Sequence, residues 1–171
     1  INMSVNLSAS LLDHSDLVGT IRVMLTGHPL PPETLTIEIT ETAQIENSRQ
    51  ARQTLAQLRR AGIRLSIDDY GTGQSNLEYL TEIEADEIKI DKRFVMTMRD
   101  SQRNLEVVKS TIDLAHRLGA VAVAEGIEDG ETMALLAGLG CDVGQGYHLG
   151  KPQLFSELTA TLSAHPQNRI A

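Results

Sequence analysis

Short runs rich in β-branched residues alternate with helical segments along nearly the whole chain of 171 residues. Strands that alternate with helices of about 10–15 residues indicate βαβ units and a parallel sheet. Six such units form either an open doubly wound sheet or most of a barrel, which eight units would close. The predicted strands are Ser4–Leu7, Leu35–Thr40, Ile63–Ile67, Glu87–Ile90, Val121–Ala124 and Asp142–Gly146.

Helices are predicted between these strands from apolar spacing, caps and stop signals. The clearest one places Leu105, Val108 and Ile112 on one stripe, with Gly119 just past its end. A capping-box pattern over Ser75–Glu78 begins a short helix through Leu80. The other predicted helices are Asp16–Leu25, Ser48–Ala61, Arg103–Leu118, Glu131–Leu139 and Leu154–Ser163, with a frayed tail after Ala164.

Composition excludes several classes of function. A formal net charge of −8 argues against a general nucleic-acid binder, and 3% aromatic residues argue against base stacking as the main binding mode. No apolar run approaches the roughly 20 residues of a bilayer span, and no signal-peptide pattern is present. Cys141 is the only cysteine, so no intramolecular disulfide or thiolate metal site is possible. We therefore expect a cytoplasmic protein, or the cytoplasmic part of a membrane-anchored one, that contacts neither DNA, RNA nor membrane.

Polar side chains stand at or just past the carboxyl end of each predicted strand. Carboxylates inside apolar strands are costly unless they are paired or bound to a metal. Because ligands of parallel α/β folds bind at the carboxyl ends of the strands, these side chains are expected to converge on one site. They are Asn6, Glu38, Asp68, Asp69, Lys89, Glu125, Glu128 and Gln145.

The residue types indicate which metal the site would bind. Carboxylate and amide oxygens without cysteine suit Mg²⁺, Mn²⁺ or Ca²⁺ rather than zinc or copper. Adjacent Asp68 and Asp69 could each face one of two ions, about 3.5–4 Å apart, or one could bridge both. Lys89 could then hold a phosphate oxygen or orient a water. The alternative is a structural ion cluster in which Lys89 pairs with the two aspartates and no chemistry occurs.

Six stretches of the sequence together resemble one known family. They are VNLS (5–8), LTIEITE (35–41), IDDYGTGQSNLEYL (67–80), EIKIDKRFV (87–95), AEGIED (124–129) and QGYHLGKP (145–152). In order and spacing they resemble the EAL family of bacterial cyclic di-GMP phosphodiesterases. The resemblance implies that residues 1–171 are the C-terminal three-quarters of an α/β, TIM-like (β/α)8 barrel of the EAL type. The first two strands and the Glu-Ala-Leu motif itself would lie upstream.

The resemblance also implies a reaction and a set of residue roles. Family members hydrolyse cyclic di-GMP to linear pGpG with two Mg²⁺ or Mn²⁺ ions, and Ca²⁺ inhibits them. Carried over by position, the metal ligands are Asn6, Glu38, Asp68, Asp69 and Glu125, and the catalytic residues are Lys89, Glu125 and Asp69. Glu125 is a metal ligand or the general base. Glu128 and Gln145 support the site, and Glu41 anchors the loop after Asp69, which the family links to dimerisation.

Two other functions remain open from the sequence. A receptor would bind cyclic di-GMP without cleaving it, and an inert scaffold would serve only dimerisation or partner binding. The resemblance further implies a homodimer and an upstream sensor or GGDEF-type domain. Because two strands of the barrel are missing, we expect these 171 residues alone to be incomplete and inactive.

Overall fold

Six parallel strands form the centre of the protein. The structure is a computed structural model, and it describes residues 2–28, 30–40, 49–72 and 77–164. The strands follow one another across a single sheet in the order of the chain. They are β1 (Met3–Asn6), β2 (Leu35–Thr40), β3 (Arg64–Tyr70), β4 (Glu87–Ile90), β5 (Val121–Ala124) and β6 (Val143–Gly144). The predicted α/β architecture of six strand–helix units is confirmed, and β2, β4 and β5 have the predicted bounds.

Helices connect the strands within the described ranges, and none of them is long and apolar enough to cross a membrane. They are α1 (Ala9–Leu12), α2 (Leu17–Thr26), a 3₁₀ helix (Pro32–Thr34), α3 (Arg49–Arg60), α4 (Leu77–Ile83), α5 (Lys92–Val95), α6 (Gln102–Arg117), α7 (Gly130–Gly138) and α8 (Phe155–Ala164). The 3₁₀ helix, α1 and α5 do not appear in the sequence prediction, because three or four residues are too few to show apolar periodicity. The predicted frayed tail lies outside the described residues.

The apolar core lies between the sheet and the helices. Outward-facing strand residues such as Ile39, Leu65 and Ile88 pack in one buried cluster with helix residues such as Leu58 and Val108. Because strand side chains alternate between faces, the residues between them point to the inner face of the sheet. On β2, β3 and β4 that face is mostly polar, whereas a closed barrel of this type usually holds branched apolar residues there.

Strand β3 contains an irregularity at the two adjacent aspartates. Ile67 pairs with Ile88 and Tyr70 pairs with Ile90, so Asp68 and Asp69 together occupy the space opposite one residue of β4. Asp69 has a φ of 57°, in the left-handed region that Asp tolerates better than most residues. The sequence prediction ended this strand at Ile67, but the strand continues through this bulge to Tyr70. The extra residue allows consecutive side chains to leave the regular alternation of faces.

Leu58 tests the assignment of the core. Its side chain is fully buried on α3, so Leu58→Ala is expected to lower the free energy of unfolding by about 3 kcal/mol through lost contacts and a residual cavity. Leu118→Ala removes the same atoms at a position that is 37% exposed and should cost less than about 1 kcal/mol. Urea unfolding followed by circular dichroism measures both, and equal losses would contradict this placement of the core.

Candidate functional site

Lys89 lies at the centre of a group of carboxylates at the carboxyl ends of four neighbouring strands. Its Nζ is 3.0 Å from Glu38 Oε2, 3.0 Å from Asp68 Oδ1 and 2.6 Å from Glu125 Oε1. The side chains come from β4, β2, β3 and the end of β5, so the parallel order of the strands brings them together. Lys89 is only 4% exposed. The ammonium group therefore donates its three hydrogen bonds to carboxylates of the protein rather than to water.

The charges of this cluster hold Lys89 in its ammonium form. Burial by itself would lower the pKa of Lys89, but hydrogen bonds and attraction from the three carboxylates outweigh it and raise the pKa above its ordinary value. A buried carboxylate also needs a partner, and Glu38, which is 6% exposed, finds one in Lys89. The mutual pairing explains why charged residues are tolerated inside otherwise apolar strands.

Negative charge nevertheless exceeds positive charge here. One carboxylate oxygen from each of Asp68, Asp69 and Glu125 lies within 4.8 Å of the other two. Burial raises the pKa of Glu125 despite Lys89, and the charges of the two aspartates raise it further. Burial and the charge of Asp68 likewise raise the pKa of Asp69. One ammonium does not neutralise these carboxylates, so the cluster retains an excess of acid.

A hard divalent cation fits this donor set. The three clustered side chains supply only oxygen ligands, which Mg²⁺, Mn²⁺ and Ca²⁺ prefer. Burial is the main cause that raises the pKa values of Asp69 and Glu125, and repulsion from neighbouring carboxylates adds to it. A bound cation would relieve that repulsion. A cavity of about 510 Å³ on the inner face of the sheet is lined by Glu38 and Lys89 among others, a volume in the usual range for small-molecule sites. A groove of about 640 Å³ between α3 and α4 contains none of these residues.

The remaining predicted residues lie at varying distances from this centre. Asn6 is exposed at the end of β1 and pairs in register with Glu38. Gln145 is exposed just after β6, where its backbone N–H donates to Ala124 O at 2.8 Å. Glu128 is exposed in the loop before α7. Glu41 lies outside the described residues. The structure thus brings five of the predicted side chains together and places three more on the surrounding edges or loop.

Asp91 is a residue of this region that the sequence prediction missed. It is 5% exposed and caps α5 by accepting a hydrogen bond from the Arg93 backbone N–H at 2.6 Å. After burial and the charge of Asp68, the nearby charge of Asp91 also raises the pKa of Asp69. Burial would raise the pKa of Asp91, but its hydrogen bonds with Arg93 outweigh burial and lower it. An Asp directly after a strand was a signal for a helix cap, yet the four-residue α5 gave no periodicity to support it.

The backbone around Ile127 connects the end of β5 to the segment after β6. Ile127 N–H donates to Gln145 O at 3.1 Å, and His148 N–H donates to Ile127 O at 3.0 Å. A Cβ on Gly146 would lie 2.2 Å from the Ile127 nitrogen and oxygen atoms. Only glycine therefore allows this close approach. The contact fixes the loop that follows Glu125.

Gly146→Ala tests this contact. The added methyl group must displace the Ile127 backbone, so the variant is expected to lose about 2 kcal/mol of unfolding free energy. Gly150→Ala is the matched control, because a Cβ there meets nothing within 4 Å. Urea unfolding compares the two. Equal stability of both variants would show that the loop accommodates a side chain at residue 146.

Comparison with known proteins gives consistent matches over most of the chain. A family model described as EAL domain matches residues 1–152. Cyclic di-GMP phosphodiesterase RocR of Pseudomonas aeruginosa is 38% identical over 152 residues, covering 89% of this chain and 39% of RocR. The chain spans between 19% and 39% of the length of the first five curated relatives that it matches.

Solved structures share the fold. EAL enzyme Bd1971 in its cAMP and cyclic-di-GMP bound form superposes with a TM-score of 0.90 at 36% identity, covering 94% of this chain and 43% of that one. BlrP1 of Klebsiella pneumoniae in a manganese/cy-diGMP complex gives a TM-score of 0.78 at 35% identity, covering 85% and 38%. Its calcium/cy-diGMP complex gives 0.79 at 36% identity, covering 85% and 37%.

Proposed function

The chain belongs to the EAL domain family, and on that premise we propose that its site hydrolyses cyclic di-GMP to linear pGpG. The observation that carries the proposal is the placement of Lys89 among Glu38, Asp68 and Glu125 at the strand ends. A lysine surrounded by surplus carboxylate suits a phosphodiester held next to divalent cations. A purely structural ion cluster would not need the additional acid of Asp69.

The proposed cofactor is a pair of Mg²⁺ or Mn²⁺ ions, with Ca²⁺ acting as an inhibitor. We assign the ligands as Asn6, Glu38, Asp68, Asp69 and Glu125. When bound, such ions supply positive charge to the phosphate and lower the pKa of coordinated water. Oxygen atoms of Asp68, Asp69 and Glu125 lie within 4.8 Å of one another. Among relatives, BlrP1 forms cy-diGMP complexes with calcium and with manganese.

Side chains of this protein supply the hydrogen bonds and the proton transfer that the reaction needs. The three N–H groups of Lys89 bind Glu38, Asp68 and Glu125. When one of these carboxylates turns to a cation, the N–H that it releases can donate either to a phosphate oxygen or to the attacking water. Glu125 lies 2.6 Å from Lys89 and serves as a ligand or as the general base that accepts the proton of the water. Asp69 completes the acidic side of the site. Glu128, in the loop after β5, and Gln145, in the loop after β6, would lie at the edges of the bound substrate.

Further proposals concern the whole protein. We assign the protein to the cytoplasm, as a homodimer that also contains a sensor or a GGDEF-type domain. Glu41 would anchor the loop after Asp69 and connect dimerisation to cation binding. RocR and the bifunctional diguanylate cyclase/cyclic di-GMP phosphodiesterase MucR of Pseudomonas aeruginosa are relatives much longer than this chain.

Hydrolysis by the full-length gene product tests the proposal. With Mg²⁺ or Mn²⁺, we expect pGpG to form, and we expect Lys89→Met and Asp68→Asn to lower the rate by about 100-fold or more, because each removes a charge next to the reacting phosphate. Lys109→Met and Asp113→Asn are matched controls on the exposed face of α6. Chromatography of the products measures the rate.

Calorimetry separates the alternatives. If cyclic di-GMP binds but no pGpG forms, the protein is a receptor and not an enzyme. If no nucleotide binds in the presence of any divalent cation, the protein is a scaffold. Activity that survives both Lys89→Met and Asp68→Asn would contradict the assignment of the site.

A further inference from the structure

Ser66 on β3 is a buried polar residue that the proposed reaction does not use. It is 0% exposed, and its hydroxyl oxygen has no hydrogen-bond partner among the residues that the structure describes. We infer that Ser66 is a positioning residue of the cation site, whose hydroxyl donates to Glu38 when that carboxylate turns from Lys89 to a cation. The inference rests on the proposed function and adds to it a residue that lies outside the assigned ligands.

Ser66 points to the inner face of the sheet. Leu65 and Ile67, its neighbours along β3, both belong to the apolar core on the other face, and the side chains of a strand alternate between faces. In register, Ser66 pairs with Glu38 of β2 on one side and with Glu87 of β4 on the other. Because adjacent strands lie about 4.8 Å apart, the Ser66 hydroxyl stands between these two glutamate side chains.

The two glutamates differ in the partners that they already have. Glu87 Oε1 lies 3.0 Å from Arg64 Nη2, and neither of these residues is an assigned ligand. Glu38 is an assigned ligand, and its Oε2 lies 3.0 Å from Lys89 Nζ. A carboxylate accepts up to about four hydrogen bonds, so Glu38 can accept from Ser66 and face a cation at the same time. We therefore assign the hydroxyl to Glu38.

The hydroxyl of Ser66 would favour cation binding energetically. A buried donor without an acceptor costs free energy, and Val121 and Val123 occupy the same face without that cost. When Glu38 turns to a cation, it loses the hydrogen bond from Lys89, and one from Ser66 replaces it. The hydroxyl is then satisfied, so it stabilises the arrangement in which Glu38 faces the cation. A donor on a ligating carboxylate also fixes the orientation of that ligand.

Ser66→Ala in the full-length gene product, without nucleotide, tests the inference. We expect Mn²⁺ binding to weaken about tenfold, the usual effect of losing a residue that orients a metal ligand. Electron paramagnetic resonance, which detects free Mn²⁺, measures the affinity. The melting temperature without added cation should not fall, because the hydroxyl has no hydrogen bond to lose in the described part of the chain. Ser66→Thr keeps the hydroxyl on the same carbon and should restore most of the affinity.

Thr54→Val is the matched control, because it removes a buried hydroxyl that has a partner. Thr54 Oγ1 on α3 donates to Leu12 O on α1 at 2.8 Å, so this variant should lower the melting temperature and leave Mn²⁺ affinity unchanged. If Ser66→Ala also lowers the melting temperature, its hydroxyl has a structural partner and the inference is overturned. Equal Mn²⁺ affinities of Ser66→Ala and Ser66→Thr would overturn it as well.

Glu38→Gln distinguishes failure of the inference from failure of the proposed function. If Glu38→Gln weakens Mn²⁺ binding while Ser66→Ala matches the unaltered protein, the cation site stands and the role of Ser66 is overturned. If Glu38→Gln leaves Mn²⁺ binding intact, the assignment of Glu38 as a ligand fails and the inference falls with it. Ser66→Ala should have a smaller effect in the Glu38→Gln background, because the hydroxyl acts through Glu38. Equal effects in both backgrounds would contradict this coupling.

Discussion

The buried ion cluster around Lys89 is the interaction on which the rest of the site depends. Lys89 is 4% exposed, so its ammonium group requires acceptors within the protein and finds them in the carboxylates of Glu38, Asp68 and Glu125. Each carboxylate comes from a different strand, so the cluster connects β2, β3, β4 and the end of β5. Removing one partner would leave a buried charge without compensation, which costs far more than an exposed pair does. The cluster therefore constrains the strand ends as well as the proposed chemistry.

In our proposal, the site binds cations because its carboxylates outnumber the single ammonium group of Lys89. Asp69 adds a further carboxylate because the bulge in β3 turns it away from the regular alternation of the strand. A regular strand would send consecutive side chains to opposite faces, and one aspartate would then be directed into the apolar layer. Beside the bulge, Gly71 lies against the ring of Phe94 on α5. A short helix with no evident periodicity thus lies next to the site.

Several features could be predicted from the sequence because they depend on local patterns. The bounds of β2, β4 and β5 follow from runs of alternating β-branched residues. The convergence of Glu38, Asp68, Lys89 and Glu125 follows from the rule that parallel strands present their carboxyl ends at one edge. The extension of β3 to Tyr70 and the roles of Asp91 and Gly146 could not be predicted. The β3 extension and the Gly146 contact depend on segments far apart in the chain, and the cap at Asp91 begins a helix too short to show periodicity.

The sequence by itself determined the class of fold, the edge of the sheet at which polar residues gather, and the oxygen-rich chemistry of their side chains. Local hydrophobic pattern and residue type are sufficient for these, since each depends on neighbours along the chain. Only the tertiary structure decided that Lys89 contacts three carboxylates at once, that Asp69 adopts a left-handed backbone, and that Phe94 of α5 lies against Gly71. Those outcomes are set by register between strands and by close packing across the fold, where displacements of an ångström determine which groups meet.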